Sequence, residues 1–222
     1  MAAYVLSQLM ADLKTGAYGG QAFQKVILVG HSIGSAIVID EASDSTLARP
    51  NGVILSGFLH FLDEAKLTLF LTDLHPALLD PDPRLNHLLP GYLTTVPGTR
   101  GQIFYDLSNA DPNVLAEDEA TKEPVAESEV VTTFTTIAPT TISQLINVPV
   151  LEAVGQFDNL FCLGAFNCTN TSAVLNNEAP FFSPAAQLQV IVIPQAGHDL
   201  NLQKNAATAW YPQVTQWLQK HL

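Results

Sequence analysis

The sequence predicts an α/β protein: a doubly wound, mostly parallel sheet covered by helices and interrupted by a large insertion. Three observations carry that expectation. Short, continuously apolar runs rich in β-branched residues recur along the chain, and such runs fit strands buried on both faces. Helical patterns follow or separate them, so strand and helix alternate four times. The composition supplies a core, because 47% of the 222 residues are hydrophobic and only 14% are charged, which is unlike a disordered chain.

Residues 3–14 place Tyr4, Val5, Leu9 and Leu13 at roughly helical spacing, and Gly16 followed by Gly19-Gly20 ends that helix. The segment has neither the basic start nor the small-residue cleavage site of a signal peptide. KVILVG, residues 25–30, is the first strand, and the helix after it runs to about Asp44. After Pro50-Asn51-Gly52 the run NGVILSGFLH repeats the buried-strand pattern, as do VPVLEAVG (148–155) and LQVIVIP (188–194). Residues 201–221, with Trp210 and Trp217, read as one long amphipathic closing helix.

This spacing divides the chain into a core, residues 1–56 and 148–222, and an insertion, residues 57–147. A connection of that length inside an α/β unit builds a cap or lid, not a bare loop. Its first part, EAKLTLFLTDL, is helical, and its acidic stretch DPNVLAEDEATKEPVAESE reads as a solvated helical face. Its Leu, Phe and Pro content predicts an apolar pocket beneath it.

A formal charge of −12 argues against nucleic acid or an anionic membrane surface as partner. No apolar run approaches the ~18 residues that span a bilayer. Cys162 and Cys168 sit in one short loop. They are either a pair of buried thiols or a disulfide worth roughly 2 kcal/mol. Two glycosylation sequons, at Asn167 and Asn170, overlap the same loop. Their crowding with the cysteines favours an oxidising, extracellular setting.

The stretch Gly30-His31-Ser32-Ile33-Gly34 stands where the first strand gives way to a helix. A reactive serine must project its hydroxyl while its backbone stays packed at a sheet end, and a tight strand-to-helix turn does this. Such a turn crowds the residues two before and two after the serine, which accounts for glycine at both places. The helix that follows offers free N–H groups and a favourable dipole, so the Ile33 N–H points where an oxyanion would form.

This segment resembles the nucleophile elbow of the α/β-hydrolase superfamily, whose order is serine, then an acid, then histidine, each after a strand. Gly155-Gln156-Phe157-Asp158 is similar to its acid loop and Gly197-His198 to its histidine loop. The resemblance implies an α/β-hydrolase fold and a Ser32–His198–Asp158 triad. Ser32 is then the nucleophile, His198 the base and Asp158 the group that orients the imidazole. It also implies a small apolar ester, lactone or related acyl compound as substrate, with no cofactor required. An acyltransferase with the same triad, or a binding protein without turnover, would share these features.

Other residues are weighed against these. His31 precedes the nucleophile, so its ring should point away, and His60 follows the second strand and could line the pocket. Asp63 is the alternative acid after the preceding strand, whereas Glu152 within a strand and Asp199 beside the histidine suit the orienting role less. The histidines and cysteines show no spacing typical of a metal site. The family places four strands ahead of its elbow, together with a loop that supplies a second oxyanion N–H. This chain reaches Ser32 after a single helix, so either an N-terminally incomplete enzyme of impaired activity, the favoured reading, or a natural short form with a reduced sheet is expected.

Overall fold

The structure is a computed structural model describing residues 1–60, 63–162 and 166–221. In chain order it begins with α1 (Ala2–Thr15), β1 (Ile27–His31), α2 (Ile33–Ser43) and β2 (Gly52–Ser56). The insertion follows with α3 (Glu64–Thr72), β3 (Leu74–Pro76), β4 (Tyr92–Thr95), α4 (Arg100–Phe104), α5 (Pro112–Ala120), β5 (Val125–Ala126) and α6 (Glu127–Thr132). The chain then returns to β6 (Val150–Gly155), α7 (Thr171–Glu178), β7 (Gln189–Ile193) and α8 (Tyr211–His221).

Among the described residues the main sheet has four parallel strands in the order β1-β2-β6-β7. The two central strands are buried at every position, the reason they read as mostly apolar runs, with Glu152 the exception in β6. Successive side chains point to opposite faces. Val53 and Leu55 therefore join one hydrophobic cluster with Val150 and Val154, and Ile54 joins another with Leu151, Ile193, Trp210 and Trp217. β1 lies at the sheet edge, and its Val29 is 65% exposed.

Three sequence expectations change here. The helix at residues 2–15 is present, but it docks through Ala3, Ser7 and Met10, with Ser7 Oγ accepting from the Ala48 N–H at 2.7 Å. The expected apolar face instead leaves Tyr4, Val5 and Leu9 exposed, and Val5, Leu6 and Leu9 line a cleft. The insertion carries a three-stranded antiparallel sheet, β3-β4-β5, beside its helices. Such short strands leave no alternation long enough to read. The closing helix starts later than residue 201. Residues 206–210 form one π-helical turn that runs directly into α8 at Tyr211.

Candidate active site

Ser32 sits in the turn between β1 and α2 with φ 54° and ψ −124°, a backbone region that costs a non-glycine residue about 1–3 kcal/mol. Neighbouring backbone holds it there: its N–H donates to the Ser56 carbonyl at 2.8 Å, and its carbonyl accepts from the Ser35 N–H at 2.9 Å. Gly30 makes the turn feasible, since a Cβ there would stand 2.5 Å from both the Gly34 oxygen and the Ser35 Cα. Gly34 differs from the expectation, because a Cβ at that position would meet nothing within 4 Å. It faces open space in the cleft. Ile33 is the first residue of α2, so its N–H belongs to the turn that has no partner inside the helix.

The loops after β6 and β7 bring Asp158 and His198 together. The Gln156 N–H donates to the Ile193 carbonyl at 2.9 Å and the Phe157 N–H to the Ala196 carbonyl at 2.8 Å, which laces the two loops. Asp158 is completely buried. Its Oδ1 accepts from the Leu160 and Phe161 N–H groups at 2.8 and 3.2 Å, and its Oδ2 lies 2.9 Å from His198 Nδ1. A disulfide joins Cys162 to Cys168, and the Cys162 N–H donates to the Asp158 carbonyl at 2.8 Å. Asn167 and Asn170 nearby are both exposed. Asn170 caps α7 by accepting from the Ser172 and Ala173 N–H groups.

His198 is 1% exposed, and its Nε2 has no hydrogen-bond partner. Burial disfavours the imidazolium, but the carboxylates of Asp158 and Asp199 outweigh that effect and raise its pKa above the ordinary histidine value. The ring is enclosed by Phe104 and Phe161, at centroid distances of 5.4 and 6.0 Å.

His31 does not point away. Its ring centroid is 5.0 Å from that of His198, and its Nε2 is 2.8 Å from Asp199 Oδ1. Its Nδ1 lies 3.3 Å from Asn201 Nδ2. Trp210 Nε1 donates to Asn201 Oδ1 at 2.6 Å, so the amide nitrogen of Asn201 faces His31 and can only donate. His31 Nδ1 is therefore an acceptor and Nε2–H donates to Asp199. That bond, with His198 nearby, holds the Asp199 carboxyl below the usual range against the opposing effect of burial. Gly57, at φ +59°, lies against both rings: a Cβ there would stand 2.7 Å from His31 Cε1 and 3.2 Å from His198 Cε1.

The insertion reaches this site through residues 100–106. Arg100 binds Asp118 through two bonds of 2.7 Å, lies 3.9 Å from Asp199 Oδ2 and packs over the Phe104 ring. The Asp199 N–H donates to the Phe104 carbonyl at 2.8 Å. Neither Arg100 nor Asp118 is marked by any local motif; they meet Asp199 only through the fold. A cavity of about 340 Å³ opens beside His31, Arg100 and Asp199. A larger apolar cleft of about 810 Å³ runs between α1, the exposed face of β1, α2 and the insertion near β5 and α6.

One further expectation is corrected. His60 lines no open pocket: its side chain is fully buried between Glu178 and Ser143. Asp63 caps α3 through the Ala65 and Lys66 N–H groups, which leaves the orienting of His198 to Asp158. Sequence spacing gave no metal constellation, yet the fold gathers two sets of close ligating atoms, one from His31, His198 and Asp199 and one from His60, Glu152 and Glu178.

A strained serine between strand and helix, with a buried histidine–carboxylate pair from two later strand ends, is the arrangement of the α/β hydrolases. The model of the alpha/beta hydrolase family matches residues 2–209, and the chain belongs to that family. A search of the curated proteins finds no match. Among solved structures the chain is similar to a monoacylglycerol lipase of Paleococcus ferrophilus (TM-score 0.61, 15% identity, covering 100% of this chain and 75% of the other). It is also similar to a thermophilic esterase from Thermogutta terrifontis (0.59, 18%, 99% and 72%). A third is a soluble variant of the monoglyceride lipase of Saccharomyces cerevisiae bound to a substrate analogue (0.55, 16%, 99% and 67%). At these identities the likeness establishes the fold.

Proposed function

We propose that the chain is a serine hydrolase of carboxylic esters or related acyl compounds. The observation that carries this reading is the His198–Asp158 pair: Nδ1 lies 2.9 Å from buried Asp158 Oδ2, Nε2 is unpartnered and so not hydrogen-bonded to Ser32, and the imidazole stands 5.0 Å from that of His31, the residue just before the strained Ser32. In the proposed reaction Ser32 Oγ attacks the acyl carbon as its proton passes to His198 Nε2. The Ile33 N–H stabilises the oxyanion, and the protonated imidazole then returns the proton to the departing alkoxide. Water, activated by the same nitrogen, releases the acid. Asp158 keeps the Nε2 lone pair directed at the hydroxyl and stabilises the imidazolium.

We take residues 57–147 as a cap and the apolar cleft lined by Val5, Leu9, Val29 and Ile37 as the place for the acyl chain. The lipases and esterase among the similar structures fit that substrate class. The test is labelling with a fluorophosphonate probe followed by p-nitrophenyl ester assays across acyl lengths. Wild type should label at Ser32, and Ser32→Ala should neither label nor turn over. Equal labelling of the alanine variant overturns the assignment.

A further inference from the structure

Beyond Phe58 and Phe161, which separate it from His198, a second polar cluster is buried in the core. His60 Nδ1 lies 2.6 Å from Glu178 Oε2 and its Nε2 2.8 Å from Ser143 Oγ. The His60 N–H and Asn177 Nδ2 also donate to the Glu178 carboxylate, and the His60 ring stacks on Phe181 at 4.4 Å. Hydroxyl, imidazole and carboxylate stand in the order of a triad, but Ser143 and Glu178 are 0% exposed, so no substrate reaches them.

Glu152 is the unusual member. It occupies a central strand on the face that carries Val150 and Val154, is 0% exposed, and neither carboxyl oxygen makes a hydrogen bond. One ligating atom each from His60, Glu152 and Glu178 lies within 4.8 Å of the others. Burial, then repulsion from Glu178, drive the Glu152 pKa well above the carboxylate range. Even as a neutral acid it carries the cost of a buried polar group without a partner, about 1–3 kcal/mol.

We propose that His60, Glu152 and Glu178 form a binding site for one divalent metal ion of the Mn²⁺ or Zn²⁺ kind. Two carboxylates neutralise the ion's charge, and a nitrogen with carboxylate oxygens is a donor set these ions accept. Ser143 completes the arrangement. By accepting a hydrogen bond from Nε2–H it turns the Nδ1 lone pair toward the carboxylates, the outer contact that orients a metal-bound imidazole. Binding takes the carboxylates ionised and Nδ1 free to donate its lone pair, so the ion displaces whatever protons those atoms hold. It gives the Glu152 carboxyl a partner and ties the segment after β2, β6 and the end of α7 together, with the 3₁₀ turn at Ile142–Leu145 joined through Ser143. This inference does not depend on the role proposed for Ser32.

The test expresses the full chain in medium supplemented with Mn²⁺, with Zn²⁺, or treated with chelator, followed by elemental analysis and thermal unfolding. Wild type should retain one equivalent of one of these ions and melt about 5–10 °C above the chelator-grown protein. Glu152→Gln should lose both the metal and the shift. Glu152→Leu removes the ligand without leaving a polar group, so it should fold, hold only trace metal and melt at one temperature in all three media. Trace metal in wild type from both supplemented media overturns the proposal. So does stoichiometric metal in Glu152→Leu.

Discussion

At the scale of single residues, the site turns on how His198 is kept ready. Asp158 and Asp199 together raise its pKa against burial. An imidazole must be neutral to act as base, so activity should fall as pH drops through a value above the ordinary histidine pKa of about 6.5. Asp199 also contributes to that elevation. Asp199→Asn should therefore move the acid limb of kcat/KM to lower pH while keeping the plateau, whereas Asp158→Asn should cost about 10⁴ in kcat through the wrong tautomer. A pH–rate profile of the three proteins separates these outcomes; an unmoved limb in Asp199→Asn would remove Asp199 from the site's electrostatics. The turns that carry Ser32, Asp158 and His198 were legible in the sequence because their chemistry is local. The His31–Asp199 bond was not, since its partners are 168 positions apart and only sheet closure joins them.

At the scale of elements, strands were easier to read than helix faces. A central strand buried on both sides is mostly apolar, so β2 and β6 show themselves despite Glu152. A helix can rest on small residues, and α1 does so through Ala3 and Ser7, which no apolar stripe reveals. Short-range pattern was equally silent about the small sheet of the insertion, whose stability rests on a buried ion pair. Lys122 Nζ donates to Asp80 Oδ2 at 2.7 Å and to the Thr95 carbonyl at 2.8 Å, and both charged residues are at most 5% exposed. Burial pushes the Asp80 carboxyl up, but Lys122, the Asp82 N–H and His75 bring it down to about 2. Lys122→Met leaves that buried charge with only His75 and the Asp82 N–H and should cost about 3 kcal/mol, read from the urea midpoint at neutral pH. A loss under about 1 kcal/mol would show the pair to be dispensable.

At the scale of the whole molecule, an acidic protein places one carboxyl where charge is unwelcome. Glu41 on α2 is 1% exposed and neither of its carboxyl oxygens has a partner. Burial, with a smaller contribution from Asp44 and opposed by Lys14, lifts its pKa to about 7. The folded state thus holds a proton that the unfolded chain releases near 4.5. Stability from this group is present at acid pH and declines as pH rises toward 7. Glu41→Gln should flatten that decline, so its advantage in denaturant midpoint over wild type should grow between pH 5 and 7.5. A constant difference would mean that Glu41 is ionised throughout.

The cross-link between Cys162 and Cys168 begins one helical turn past Asp158, on the residue whose amide holds the Asp158 carbonyl. A reductant strong enough to open it would slacken the only covalent brace near the acid and let the carboxylate drift from the imidazole. Turnover should then fall in dithiothreitol and in Cys168→Ser while fluorophosphonate still reaches the pocket slowly; full activity in both would free the acid from any redox control. Thiol chemistry at this buried cross-link would in that way govern proton traffic at the neighbouring imidazole.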